Sequence, residues 1–465
     1  MNPKLKKTLN VIELVASFIV IALMVFLIFS SRGRTAAHRL LTVDPELQRT
    51  RSAVLWPIRG NILDCEGRVV ASNWTEWDIH LDCTVAKMTD DEWKDEAREL
   101  SKVLAEALGE RPAYSYYDRL VDGREEGKQY LEICRGVQED LVIELKRAPL
   151  LCGEQFETGV IVESHPVRVY PFGELARRTI GRDGGYRSIG IEAAYDEVLR
   201  GEAGQVWYKR CCKKGRYYWK EKSRIEPVDG QNVTMTIDID LQGVVDVELR
   251  AALEGRKDVS QACAVLMDAG SGAVKAMANM SYYDGKFQEA YNVAIGNEYE
   301  PGEVMTSLPL EVLALGLDSA RFDIEGLREP KASEQDGKLL LSCNPLHVLR
   351  VYGGIANGGV MFDPYLVTPS TARELCSREV ADSLRAQFAG GRQSTMMMPH
   401  PSINGSDPYR WPSGDREFAT TWVGLVDSGN AEYVLLCTAF SAKTKAAAPQ
   451  RDVPEKVAAA IKKRL

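Results

Sequence analysis

Ala262 to Met280 reads ACAVLMDAGSGAVKAMANM. Two apolar runs flank a glycine-containing centre, and glycine enters positive φ at no steric cost, so the stretch predicts two strands joined by a tight turn at Ala269 to Gly272. Nearer the C-terminus, TTWVGLV and AEYVLLCTAF stand on either side of the turn residues DSGN and predict a second antiparallel pair. Helices belong between these strands. Asn344 followed by Pro345 supplies an N-cap and a first-turn proline for a helix that runs through Leu349 and Tyr352 and stops at Gly358-Gly359. Upstream, DGQNVTMTIDIDLQ, from Asp229 to Gln242, predicts a turn, an alternating strand over VTMTID and a helix start at Asp240. Strands and helices mixed in this way imply an α+β domain over about 229–465.

The preceding stretch, 39–225, mixes strand-like runs with charged helical ones, and the domain boundary is placed near Pro227. Within it, Asp90 to Glu110 carries Trp93, Ala97, Leu100, Val103, Leu104 and Leu108 near helical spacing, which predicts a surface helix with one apolar face. With 465 residues, 45% of them hydrophobic, the chain is large enough for two or three domains without metal or disulfide staples. A formal net charge of -8 leaves no basic surplus to neutralise phosphates, which disfavours a nucleic-acid partner. The ten cysteines include adjacent Cys211 and Cys212 but no CxxC or Cys/His spacing, so neither a metal nor another cofactor is expected. In an oxidising space Cys65 with Cys83, or Cys134 with Cys152, could bridge; buried free thiols are the alternative, and no disulfide is assigned.

Val11 to Ser30, VIELVASFIVIALMVFLIFS, holds a single charge, Glu13, and has the length needed to cross a bilayer as a helix. Lys4, Lys6 and Lys7 precede it, so residues 1–10 are expected to be a cytoplasmic tail and the body of the chain to lie outside, although Arg32, Arg34 and Arg39 weaken that bias. A cleaved signal peptide is the competing reading, but SSRGRTAAHR offers no convincing cleavage site. A single-pass inner-membrane protein with an extracytoplasmic or periplasmic body is the expectation.

Four further landmarks follow in order. They are Arg59-Gly60-Asn61-Ile62-Leu63-Asp64 with Gly67 and Ala71; Tyr170-Pro171-Phe172-Gly173-Glu174-Leu175-Ala176 with Ile180-Gly181; Gly190-Ile191-Glu192 with Tyr195-Asp196 and Leu199-Arg200-Gly201; and Asn292 to Thr306, NVAIGNEYEPGEVMT. Taken together behind one anchor, they resemble the class B penicillin-binding proteins over nearly the whole chain. The resemblance implies a transmembrane helix, an elongated α+β pedestal or dimerisation domain, and a transpeptidase domain of the penicillin-binding-protein and serine β-lactamase type. It also implies partners among polytopic glycan polymerases and other division or elongation proteins. Arg59, Gly60, Asp64 and Gly67 are read as structural, the glycines setting turns and Arg59 pairing with Asp64 across a hairpin.

In that family acyl transfer needs a serine with a lysine three residues on, both on one helix face, so that the amine can take the hydroxyl proton. Here Glu303 stands at the serine position and Thr306 at the lysine position, and no serine in the chain has lysine at its third following residue. The family's SxN finds literal matches only at Ser342-Cys343-Asn344, Ser402-Ile403-Asn404 and Ser428-Gly429-Asn430, the first explained by helix capping and the third by a turn. Where K[ST]G is expected, on the strand lining the cleft, Ser406, Asp407 and Pro408 take its place. Three readings stay open. The chain is a non-catalytic scaffold or regulator of peptidoglycan synthesis or cell division; or an enzyme rebuilt around Glu303 and Asp407 as a carboxylate pair; or a module that holds wall peptide without turnover.

Overall fold

The computed structural model describes residues 50–85, 88–153, 158–183, 188–213, 216–318, 320–324, 326–327, 329–335, 338–398, 415–427, 432–446 and 448–465. The tail at 1–10, the apolar run at 11–30, and Ser406, Asp407 and Pro408 lie outside them. Among the described residues no helix is long and apolar enough to cross a membrane.

The first half of the chain contains β1 (Thr50–Leu55), β2 (Ile62–Leu63), β3 (Val69–Leu81), α1 (Asp90–Leu108), α2 (Ala113–Glu125), β4 (Leu131–Val137), α3 (Glu139–Leu145) and β5 (Val160–Val169). Three short helices follow, α4 (Arg177–Ile180), α5 (Ile191–Ala194) and α6 (Asp196–Leu199), and then the hairpin of β6 (Gly204–Lys213) and β7 (Arg216–Ile225). The second half runs β8 (Val233–Thr234), α7 (Ile239–Leu253), β9 (Val259–Asp268), β10 (Val274–Tyr283), β11 (Lys286–Gln288), α8 (Val293–Gly296), α9 (Glu303–Thr306), α10 (Leu310–Gly316), β12 (Lys331–Gln335) and β13 (Lys338–Ser342). It closes with α11 (Pro345–Ala356), β14 (Val360–Met361), β15 (Arg373–Glu374), α12 (Arg378–Phe388), β16 (Arg392–Met397), β17 (Phe418–Asp427), β18 (Glu432–Ser441) and α13 (Val453–Arg464).

Two compact units result. One joins residues 50–57 to Gly201–Asp229 around the sheet β1-β6-β7; the other joins Ile58–Arg200 to Gly230–Leu465.

The second unit is organised by a six-stranded antiparallel sheet in the order β11-β10-β9-β18-β17-β16. Both faces are covered, which is why β9 is apolar at nearly every position. Side chains alternate along a strand: Ala262, Ala264 and Leu266 pack with Val245 and Leu249 of α7 and Val457 and Ile461 of α13, while Cys263, Val265 and Met267 join Leu349, Tyr352 and Ile355 of α11. The expected turn at Ala269 to Gly272 joins β9 to β10, with Gly272 at φ +80°. Trp422, on β17, is linked to Cys263 through β18, so the late and early strand pairs share one sheet.

A smaller sheet, β4-β3-β2-β8 with β5 on β3, extends the unit toward the N-terminus. Here α1 lies on an apolar cluster of its own, burying Trp93, Ala97, Leu100 and Leu104 as its periodicity predicts. Its start is set by Thr89, whose hydroxyl accepts from the Glu92 N–H at 3.3 Å while the Glu92 carboxylate accepts from the Thr89 N–H at 2.7 Å.

Two expectations are corrected. The strand over VTMTID shortens to Val233–Thr234, because beyond it the Met235, Thr236 and Asp238 amides donate to Leu63, Leu366 and Lys275 in turn and no single ladder continues. Helix α7 begins at Ile239, one residue before the expected start, because Asp238 caps it by accepting from the Asp240 and Leu241 N–H groups.

Candidate functional site

The stretch that resembles the family's nucleophile turn forms α9. It opens at Gly302, whose φ of +63° lies in the left-handed region and whose missing Cβ would sit 2.5 Å from Met396 Cγ on β16. Val304 and Met305 point into the core, and the buried Tyr352 hydroxyl donates to the Val304 carbonyl at 2.6 Å. Burial pushes the Tyr352 phenol up to about 12, so it stays protonated and acts as a fixed strut.

Glu303, Thr306 and Ser307 are exposed. The Glu303 carboxylate makes no hydrogen bond or ion pair among the described residues, and the Thr306 hydroxyl donates back to the Gly302 carbonyl at 3.2 Å. Ser307 Oγ donates to the Glu303 carbonyl at 2.6 Å and accepts from Arg392 Nη1 at 2.6 Å. Neither partner can take a proton from the hydroxyl: a peptide carbonyl is too weak a base, and a guanidinium is already protonated. This serine therefore has no base among its hydrogen-bond partners.

Among the described residues β16, Arg392–Met397, is the strand that packs beside α9, with Ser394 Oγ donating to the Pro301 carbonyl. The resemblance places the cation of the cleft strand at 406–408, so no motif in the sequence marks Arg392 as a site residue. Gly390-Gly391 just ahead of it was the available signal: a Cβ on Gly391, at φ +99°, would overlap the Trp422 ring.

Asn344 occupies the N-cap position of α11, as expected, and is fully buried. Its Nδ2 donates to the Ile295 carbonyl and, at 3.0 Å, to the Asn297 carbonyl, while its N–H donates to His347 Nδ1 at 3.2 Å. Burial drives the His347 imidazole down to about 4, so it is neutral and free to accept that bond. Asn344 thus ties α11 to α8. The matches at Ser402 and Ser428 fall outside the described residues.

The expected Arg59–Asp64 pair does not form. Arg59 instead donates to the fully buried Glu192 at 2.9 Å and to Asp196 at 2.7 Å, both residues of the third landmark, and Arg168 holds the second Glu192 oxygen at 2.7 Å. Asp64 accepts from Arg68 Nε at 2.6 Å and from the Arg68 and Glu66 N–H groups. Although burial raises it, those bonds hold the Asp64 carboxyl below its ordinary value. Gly67, at φ +85°, closes that turn, and Gly60 lets Gln231 approach so closely that a Cβ would lie 2.0 Å from its carbonyl oxygen. The reason is tertiary: the landmarks converge on one junction, where Glu192 is nearer to Arg59 than Asp64 is.

Cys65, Cys83, Cys134 and Cys152 are free thiols, and among the described residues no group of three or more His, Cys, Asp or Glu is placed to hold a metal ion.

Residues 55–185 match the family described as the penicillin-binding protein dimerisation domain. Penicillin-binding protein PbpB of Mycobacterium tuberculosis is 32% identical over 168 residues, which are 34% of this chain and 24% of that protein. The chain therefore spans about a quarter of the length of this curated relative. In fold it is similar to penicillin-binding protein 2X of Streptococcus thermophilus, with a TM-score of 0.64 at 16% identity over 88% of this chain and 79% of that one. It is likewise similar to a structure of a complex between penicillin-binding protein 2 and MreC from Helicobacter pylori, with a TM-score of 0.57 at 13% identity, covering 90% and 98% of the two chains. The family match covers residues 55–185, and the similarity in fold extends over most of the chain.

Proposed function

We propose that this chain is a membrane-anchored, non-catalytic class B penicillin-binding-protein homologue acting as a scaffold or regulator of peptidoglycan synthesis or division. In this reading residues 11–30 are the anchor, 39–225 the pedestal and 229–465 a degenerate transpeptidase-like domain on the extracytoplasmic side. The observation that carries it is the chemistry of α9: Glu303 stands at the nucleophile position, the Thr306 hydroxyl donates to the Gly302 carbonyl, and Ser307, the nearest exposed serine, is hydrogen-bonded to a carbonyl and a guanidinium with no base. A polytopic glycan polymerase or an elongation or division protein fits as partner, supported by the similarity to a penicillin-binding protein 2 structure that includes MreC. Incubation of the purified chain with a fluorescent penicillin, followed by intact-mass spectrometry, is expected to give no adduct; a stoichiometric adduct would overturn the proposal.

A second reading, binding of wall peptide without turnover, is favoured by Arg392, which keeps a cation beside α9. Retention of muropeptides on the immobilised chain, lost in Arg392→Met, would move the assignment from scaffold to binding module. Equal failure of both forms to retain them leaves the scaffold reading.

A further inference from the structure

Arg178, on α4, donates its backbone N–H to Glu289 at 2.9 Å, but its guanidinium makes no hydrogen bond or ion pair among the described residues. The side chain is half-buried and lines a cavity of about 550 Å³ whose walls come from residues 188–194 on one side and 291–296 on the other. An unpaired cation held partly out of water is costly, and burial indeed drives the Arg178 guanidinium below its ordinary range.

Among the described residues no ion pair relieves that cost. No carboxylate among the described residues lines the cavity. Glu289 is the adjacent acid, but its carboxyl already accepts two backbone N–H groups, and burial pushes it up to about 7, which makes it a poor counter-ion. Arg182 adds repulsion of its own and borders a second cavity, of about 460 Å³, that also reaches Arg178.

The remaining walls are suited to a ligand with an apolar part. Ile189, Ile295 and Ile324 line one region, and the Tyr291 hydroxyl lies over Gly296, where a Cβ would be 1.8 Å from it. The volume is in the range of small-molecule sites.

We propose that this cavity binds a small amphipathic oxyanion, a carboxylate or a phosphate ester, whose charged end pairs with Arg178 while its apolar part rests on the isoleucines. Arginine is the side chain best matched to either group, because its planar fork meets two oxygens at once. None of the cavity-lining residues belongs to α9 or β16, so the proposal stands whether or not penicillin acylates the chain.

The test is isothermal titration of the full chain in detergent with benzoate, phenyl phosphate and, as the uncharged isostere, benzamide. At least one of the two oxyanions is expected to bind and benzamide to bind far more weakly. Benzoate alone would assign a carboxylate such as a peptide terminus, and phenyl phosphate alone a phosphate ester. Arg178→Met is expected to weaken binding about tenfold or more, the usual cost of losing a charged hydrogen-bond donor. Ala194→Leu, which fills the rim from an exposed position, should weaken it without touching the charge. Absence of binding by both oxyanions, or affinity unchanged in Arg178→Met, would overturn the proposal.

Discussion

Gly302 combines two demands that one residue type meets, a φ of +63° and contact with Met396 close enough to exclude a Cβ. Met396 is flexible enough to give way, so the larger part of the penalty in Gly302→Ala is the backbone conformation. A loss of about 1–2 kcal/mol is expected in a urea titration. Glu289 poses a different question. Its carboxyl is raised by burial from an ordinary 4.5 to about 7, so the folded state holds a proton that the unfolded chain releases earlier. The associated stability is therefore complete below about pH 4.5 and is lost as pH rises through about 7. Asp246, Arg250 and the backbone N–H groups of Arg178 and Asn279 face the same carboxyl. Melting temperatures of the wild type and Glu289→Gln, compared between about pH 5 and about pH 8, should shift in favour of the variant as pH rises. A difference independent of pH would show that the carboxyl is ionised throughout.

Among elements, the junction of α5, α6 and the start of β2 is held by one buried ion network. Arg59 reaches Glu192 and Asp196, and Arg168 of β5 completes the pairing of a carboxylate with no solvent exposure. Removing one member of a buried pair costs more than the pair contributes, because the remaining charge is left desolvated. Arg59→Met should destabilise the chain by about 3 kcal/mol. Adding Glu192→Gln to it should recover part of that loss, a coupling that a double-mutant cycle reads directly. Additive losses would mean that Asp196, and not Glu192, carries the interaction. The helix α1 offers a contrast. Its capping box, apolar face and C-terminal Gly109 at φ +66° are all local, and each was readable from neighbouring residues.

At the scale of the whole molecule, the stretch 58–200 does not complete its own interior. Ile62, Val70, Ala71, Ile180, Ile191 and Leu199 share one core with residues of the second half, whereas Ile79, Trp93, Leu104, Leu131 and Val160 form a separate cluster. A fragment of residues 1–229 should therefore keep slow amide exchange over 93–151 and lose it over 60–71 and 176–199, compared with the full chain. Equal protection in both regions would show that the stretch 58–200 closes on itself. The sequence by itself determined what depends on neighbours: the paired strands around Gly272, the helix opened by Asn344-Pro345, the amphipathic face of α1 and the absence of any serine with lysine at its third following residue. These are settled by period, turn chemistry and spacing, which act over a few residues. Only the tertiary structure decided which partner Arg59 takes, which strand borders α9, and where Arg178 is left without an ion pair among the described residues. Ion pairs and cavities depend on groups that lie more than a hundred residues apart, as Arg59 and Glu192 do, and chain folding alone brings such groups within a few ångströms.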